Sequence, residues 1–338
     1  MRHSTITIKD IAKLLGVSKS TVSRALKDHP DISEATKQAV RNIAESFHYR
    51  PNQLALSLRY KKSKLIGLIV PQIYNFFFPS IIKGIEDIVR QHGYNLIILQ
   101  SNECYETEVD NVDFLAANNV EGILACISRG TTDFEHFQQI IDSGIPLVFF
   151  DRVPENLNAS MVLFDDISGA YQATNHLIQR GRKKIAICIG KPELLISSNR
   201  LQGYKRALSD NNLIFCEDYV ISGQSIHEAK QKMLRLLEFP EPPDSIFAIS
   251  DLTMAGIMQA VYEKKVKVPD DLSVIGFCEE PFSIMYQPKI TSIRPMGNSI
   301  GKKAAEMIFE QINSPNPEMN EENSMIFIPG DLIVRDST

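Results

Sequence analysis

Between Gly16 and His29 the chain carries Lys19, Ser20, Ser23 and Arg24, spaced to share the outward side of one short helix. All four side chains donate hydrogen bonds, and two are cationic, so the set suits an acceptor-rich, negatively charged surface. The charge distribution agrees. Residues 1–64 hold 13 Lys+Arg against 5 Asp+Glu, a net +8, whereas the remaining 274 residues hold 23 against 36, a net −13. A small basic head on a larger acidic body is the footprint of a polyanion-binding module joined to a separate domain.

Signatures of catalysis are missing where they would be expected. There is no Gly-x-x-x-x-Gly-Lys-[Ser/Thr], no Gly-x-Gly-x-x-Gly and no His-Glu-x-x-His. The paired acids Asp165-Asp166 and Asp270-Asp271 fall near strand ends or turns, where solvated loop positions are expected. The five cysteines (Cys104, Cys126, Cys188, Cys216, Cys278) are odd in number, far apart and without metal spacing, which reads as unpaired thiols in a reducing compartment. The most apolar stretch, Leu65 to Ile82, is broken by Pro71, Gln72, Asn75 and Pro79. Met1-Arg2-His3-Ser4-Thr5 runs into Lys9 and Asp10 without an apolar signal core, so a cytoplasmic location is expected.

The donor set needs a scaffold, and the flanking residues supply one. Thr7-Ile8-Lys9-Asp10 reads as a capping box opening a first helix, with Ile8, Ile11, Ala12 and Leu15 at helical spacing and Gly16 as its stop. Ser18 caps a second helix with Val22, Ala25 and Leu26 inward. His29-Pro30-Asp31 breaks the chain, and Ser33 caps a third helix to about Phe47, with Ile43, Ala44 and Phe47 on its core side. Three short helices with a glycine turn between the first two make a helix-turn-helix. Pro51 to Arg59 can form one more helix, too short to be stable alone in water. Its leucines, Leu54, Leu56 and Leu58, face more than one side, and Lys61, Lys62 and Lys64 follow as a basic linker.

From Leu65 onward apolar runs alternate with helical stretches: Leu65–Val70, Leu96–Gln100, Gly122–Ile127, Leu147–Asp151, Ile185–Ile189, Ile246–Ile249 and Ser273–Phe277, with amphipathic segments such as Ile81–His92 and Gly169–Arg180 between them. That alternation predicts parallel sheets covered by helices, the doubly wound α/β class.

The run Thr-Ile-Lys-Asp-Ile-Ala-Lys-Leu-Leu-Gly-Val-Ser-Lys-Ser-Thr-Val-Ser-Arg-Ala-Leu, continued by Tyr49-Arg50-Pro51-Asn52 and Leu58-Arg59, resembles the headpiece and hinge of the lac/purine repressor (LacI/GalR) family, and the likeness extends through most of the body. The resemblance implies an all-α helix-turn-helix headpiece over 1–50, a hinge helix and linker over 51–64, and a core over 65–338 similar to periplasmic sugar-binding proteins. The first lobe is expected at about 65–162 and 292–324, the second at about 163–291 and 325–338. It places base reading on Lys19, Ser20 and Arg24, and phosphate contacts on Thr7, Ser18, Thr21 and Ser23. Leu58 is the implied minor-groove wedge at the centre of a pseudo-palindromic operator, with Arg59 beside it.

Carried over in the same way, the effector contacts are Asn75, Phe77, Phe78, Asp151, Arg152, Arg200, Gln224, Ser250, Asp251, Cys278 and Glu279. An aromatic face with carboxylates and a guanidinium suits a sugar or sugar derivative. Cys278 stands where many members present Asp or Asn, so either Glu279 takes over that role or the ligand lacks a hydroxyl there. The loop Lys191–Ser197 lacks the polar set expected of a purine pocket. Two half-sites call for a homodimer, and the end of the sequence offers no heptads for a coiled coil. No cofactor or metal is implied. A plain solute-binding protein would need a secretion signal and would have no use for residues 1–62; an enzyme would need the motifs that are missing.

Overall fold

The computed structural model describes residues 6–47, 49, 62–74, 76–154, 156–191, 194–314 and 324–338. The expectations for Leu58, Arg59 and Asn75 lie outside the described residues. The chain divides into two compact units, Met1–Ser63 and Lys64–Thr338.

In the first unit, α1 (Ile8–Leu15) opens where the Asp10 carboxylate accepts the Thr7 N–H at 2.9 Å and the Thr7 hydroxyl at 2.6 Å. It closes at Gly16, whose φ of 64° is the left-handed turn that a side chain disfavours. Ser18 starts α2 (Lys19–Leu26) by accepting the Thr21 N–H at 3.0 Å, and Ser33 does the same for α3 (Glu34–Ser46) through Thr36. Ile11, Ala12, Val22, Ala25, Val40 and Ala44 form the core. The sequence expectation that Phe47 joins them is corrected: it follows the last turn of α3, 56% exposed, and fully buried Val40 holds the inward position.

The second unit has two six-stranded sheets. The first contains β1 (Leu65–Val70), β2 (Asn95–Gln100), β3 (Gly122–Ala125), β4 (Leu147–Phe150), β5 (Ser160–Phe164) and, late in the chain, β11 (Met325–Ile328), in spatial order β11-β5-β4-β3-β1-β2. The second contains β6 (Ile185–Ile189), β7 (Val220–Ser222), β8 (Ser245–Ala248), β9 (Ser273–Phe277), β10 (Thr291–Arg294) and β12 (Asp331–Ile333), in order β12-β10-β9-β8-β6-β7. Neighbours run parallel except β10 and β12. Crossover helices cover the sheets, so central strands such as β1 and β6 are buried on both faces and read as unbroken apolar runs.

The chain passes between lobes at 164–166, 294–297 and 328–331. Two expected boundaries therefore move. β10 belongs to the second lobe because Thr291–Ile293 pair with Ile275–Phe277. β11 belongs to the first lobe because Met325–Ile328 pair with Met161–Phe164. The strand is an edge with alternating exposure, too short and too weakly patterned to announce its sheet in advance. Within the first lobe, α4 (Phe77–Gln91) and α12 (Gly297–Asn313) cross closely. A Cβ on Gly84 would stand 2.2 Å from the Asn298 carbonyl oxygen, and one on Gly301 would stand 2.1 Å from that of Ile81.

Candidate DNA-contacting face and ligand cleft

On the first unit, burial of Val22 and Ala25 turns the opposite side of α2 outward, leaving Lys19, Ser20 and Arg24 exposed there. Lys19 has no ion pair among the described residues, while the Arg24 guanidinium lies 3.9 Å from Asp31 and remains 57% exposed. The Ser18 hydroxyl is within bonding distance of the Ser20 and Thr21 hydroxyls, at 3.0 and 2.9 Å. Ser18 and Thr7 already serve as caps, and Ser23 is half-buried. The face is therefore two exposed cations flanking small hydroxyls on one helix, a geometry that fits donor readout of base edges with hydroxyl and backbone contacts to phosphates.

In the second unit, the carboxyl ends of the parallel strands of both lobes converge on a cavity of about 170 Å³. Phe77 and Phe78 enter from the start of α4, with ring centroids 5.5 Å apart. Asp151 and Arg152 follow β4, where Asp151 is held at φ 61°. Its carboxylate lies 3.6 Å from the Cys126 thiol and 4.0 Å from the Arg152 Nε, and burial pushes its carboxyl up. Arg152 itself forks onto Glu103, donating at 2.9 and 3.1 Å. Glu103 also accepts the Arg129 N–H at 2.8 Å; burial works against its charge, but the two arginines hold its carboxyl below the ordinary range.

Opposite, helix α8 (Leu195–Asp210) carries Arg200 into the cleft. Its Nε donates to the Asp166 carboxylate at 2.6 Å, a second nitrogen donates to the Ile249 carbonyl, and the guanidinium lies 4.1 Å from the Phe277 ring centroid. The expected pair of solvated acids at 165–166 is thus corrected. Asp165 caps α7 (Asp166–Gln179), but Asp166 is 5% exposed, and burial, partly offset by Arg200, pushes its carboxyl up to about 6.

Ser250 caps α10 (Asp251–Lys264), sharing a hydrogen-bonded box with Thr253. Burial and the Glu279 charge push the Asp251 carboxyl up to about 7, offset in part by the nearby Cys278 thiol and Glu279 N–H. Glu279 is 7% exposed and lines the cavity, as does Gln224, whose N–H is taken by Glu228 at 2.8 Å. Cys278 does not line it. The side chain is 1% exposed within the second lobe's apolar cluster: just past the end of β9, it points away from the cleft that the preceding Phe277 lines. It acts on the site indirectly, through Asp251.

Sequence reasoning missed Arg129, Phe164 and Phe277; the loop Lys191–Ser197, read there only for what it lacks, supplies Lys191, Leu194, Ile196 and Ser197 to the lining. Gly190 and Gly223, each directly after a strand, were the available signal for two of the lining loops; nothing in the sequence pointed to Glu103. The sequence does hold one Gly-x-Ser-x-Gly pattern, Gly297-Asn298-Ser299-Ile300-Gly301. It is not a strand-to-helix elbow, for it forms the first turns of α12, and both glycines sit under close neighbours from α4. Among the described residues no group of three or more His, Cys, Asp or Glu could hold a metal, and no helix is long and apolar enough to cross a membrane.

Comparison with known proteins gives two family matches: bacterial regulatory proteins of the lacI family over residues 7–52, and the periplasmic binding proteins and sugar-binding domain of the LacI family over 63–336. The HTH-type transcriptional repressor PurR of Vibrio atlanticus (strain LGP32) is 32% identical over 315 residues, covering 92% of this chain and 93% of the relative. A solved complex of the transcriptional regulator CelR with cellobiose is 25% identical with a TM-score of 0.73, covering 98% of this chain and all of that one. The lac repressor dimer bound to operator and the anti-inducer ONPF has a TM-score of 0.86 at 22% identity, covering 99% of each chain, and shows the shared fold.

Proposed function

Because the chain belongs to the LacI family of DNA-binding transcriptional repressors, we propose that its hold on operator DNA is set by a small carbohydrate-type effector bound between the two lobes. The observation that carries this reading is the cleft itself. Phe77 and Phe78 can cover the apolar face of a sugar ring, while Asp151, Asp251 and Glu279 accept from its hydroxyls and Arg200 donates. The neighbour solved with cellobiose supports the same class.

In this reading two copies present Lys19, Ser20 and Arg24 to the major grooves of two half-sites, with Thr7, Ser18, Thr21 and Ser23 setting register on phosphates. Leu58 wedges into the minor groove with Arg59 beside it. The protein works in the cytoplasm, where its DNA is. An effector that contacts both lobes favours one lobe arrangement over the other, and that difference in affinity is the free energy available to change DNA binding.

Fluorescence-anisotropy titration on the protein's own promoter DNA, at two salt concentrations and with a panel of mono- and disaccharides, tests it. Salt-sensitive binding that one sugar abolishes is the expected result. Binding that no sugar alters would turn attention to a flat heterocyclic effector, which the apolar lining from Phe164, Leu194, Ile196 and Phe277 would suit.

A further inference from the structure

The charges around the cleft are not evenly matched. Its arginines already face acceptors of this chain: Arg152 and Arg129 share Glu103, and Arg200 has Asp166 and the Ile249 carbonyl. Asp251 and Glu279 have no such partner. They sit close together: both line the cavity from the loops that follow β8 and β9, adjacent strands with Ala248 opposite Gly276, and the Glu279 charge acts on Asp251. Asp251 Oδ1 and Glu279 Oε1 are both buried with no hydrogen-bond partner among the described residues. The cation that offsets Glu279 is Arg294, and its guanidinium is drawn to Asp331 at 2.9 Å and lies 3.9 Å from Glu280. The Gly297 N–H gives Glu279 its other support. Across the cleft Asp151 adds a third carboxylate, met by the Cys126 thiol at 3.6 Å and by Arg152 at 4.0 Å.

Two adjacent carboxylates withdrawn from water repel each other until a cation or a proton joins them. A neutral hydroxyl donates one hydrogen bond and leaves the second acid unmet, whereas an ammonium carries three donors and the charge.

We propose that the effector is a sugar-derived primary amine whose ammonium is held between Asp251 and Glu279, its ring lying against Phe77 and Phe78. This rests on the reading of the cleft as a carbohydrate site and narrows it. It also gives a role to Glu279, which follows the buried Cys278: the acid supplies, one residue on, the carboxylate that the thiol cannot.

Isothermal titration calorimetry of the full chain at pH 7 would compare glucosamine, galactosamine and mannosamine with glucose, galactose and mannose, and the same six compounds would be tried for release of promoter DNA. At least one amine is expected to bind about tenfold more tightly than its neutral counterpart, the difference between a charge-assisted and a neutral hydrogen bond. E279Q and D251N should each shrink that preference several-fold, with circular dichroism confirming that the variants fold. A neutral sugar that binds as tightly as its amine and releases DNA would overturn the amine while leaving the carbohydrate reading intact. No response to any of the six would overturn both.

Discussion

The Arg200 Nε stands 2.6 Å from the Asp166 carboxylate, a second nitrogen donates to the Ile249 carbonyl and the Phe277 ring centroid lies 4.1 Å from the guanidinium, so the cation is fixed on three sides before any ligand arrives. A positioned donor that does not need to reorganise on binding contributes more to affinity than a mobile one. The Asp166 carboxylate is the part of that fixture that responds to pH.

Removing the arginine should separate ligand sensing from DNA binding. Arg200→Ala is expected to abolish the effect of any effector on promoter binding in anisotropy, while the protein still binds that DNA, because Arg200 lies in the second unit and the reading face in the first. An effector response of wild-type size in this variant would remove Arg200 from the site.

Asp166 and Asp251 should make the folded chain less stable as the pH rises from acidic to neutral. Their carboxyls sit at about 6 and about 7 in the folded protein, against about 4 in an unfolded chain. The folded state thus holds more protons between those values, and stability falls as pH rises from about 4 through about 7. Urea denaturation at pH 5 and pH 8 should show the loss, and Asp251→Asn should flatten it. Equal slopes in wild type and variant would show that Asp251 ionises normally.

On the reading helix the two kinds of contact should respond differently. Arg24→Ala is expected to cost about 1–3 kcal/mol on the specific operator and to relax its sequence preference. Thr21→Val should weaken binding evenly across sequences. Leu58→Ala should weaken operator binding far more than non-specific binding; equal loss on both would contradict the wedge.

Gly301→Ala tests the helix crossing in the first lobe. The added methyl would meet the Ile81 carbonyl oxygen at 2.1 Å, so α4 and α12 must separate. A loss of about 1–3 kcal/mol is expected, read as a lower melting temperature, and an unchanged melting temperature would mean the crossing has slack.

Much of this protein was already written in local sequence. The caps at Thr7, Ser18 and Ser33, the left-handed turn at Gly16 and the helical spacing of Ile11, Val22 and Ala25 are short-range features, so the headpiece and its outward Lys19, Ser20 and Arg24 follow from a few neighbouring residues. The buried parallel strands were legible for the same reason, as apolar runs bounded by turns.

Only the tertiary structure decided where those elements meet. The placement of β11 in the first lobe depends on pairing with residues more than 150 positions earlier, and no local pattern carries that information. The same holds for the cleft. Asp166 reads as a loop acid until Arg200, 34 residues on, closes over it, and Glu103 has no visible role until Arg152 reaches it across 49 residues. Cys278 reads as a contact until its place just past β9 turns it into the apolar cluster of the second lobe. Residue types set what chemistry is available, but burial and partner set which acids stay charged, which arginines are already engaged and which oxygens still need a donor; these depend on distances in space.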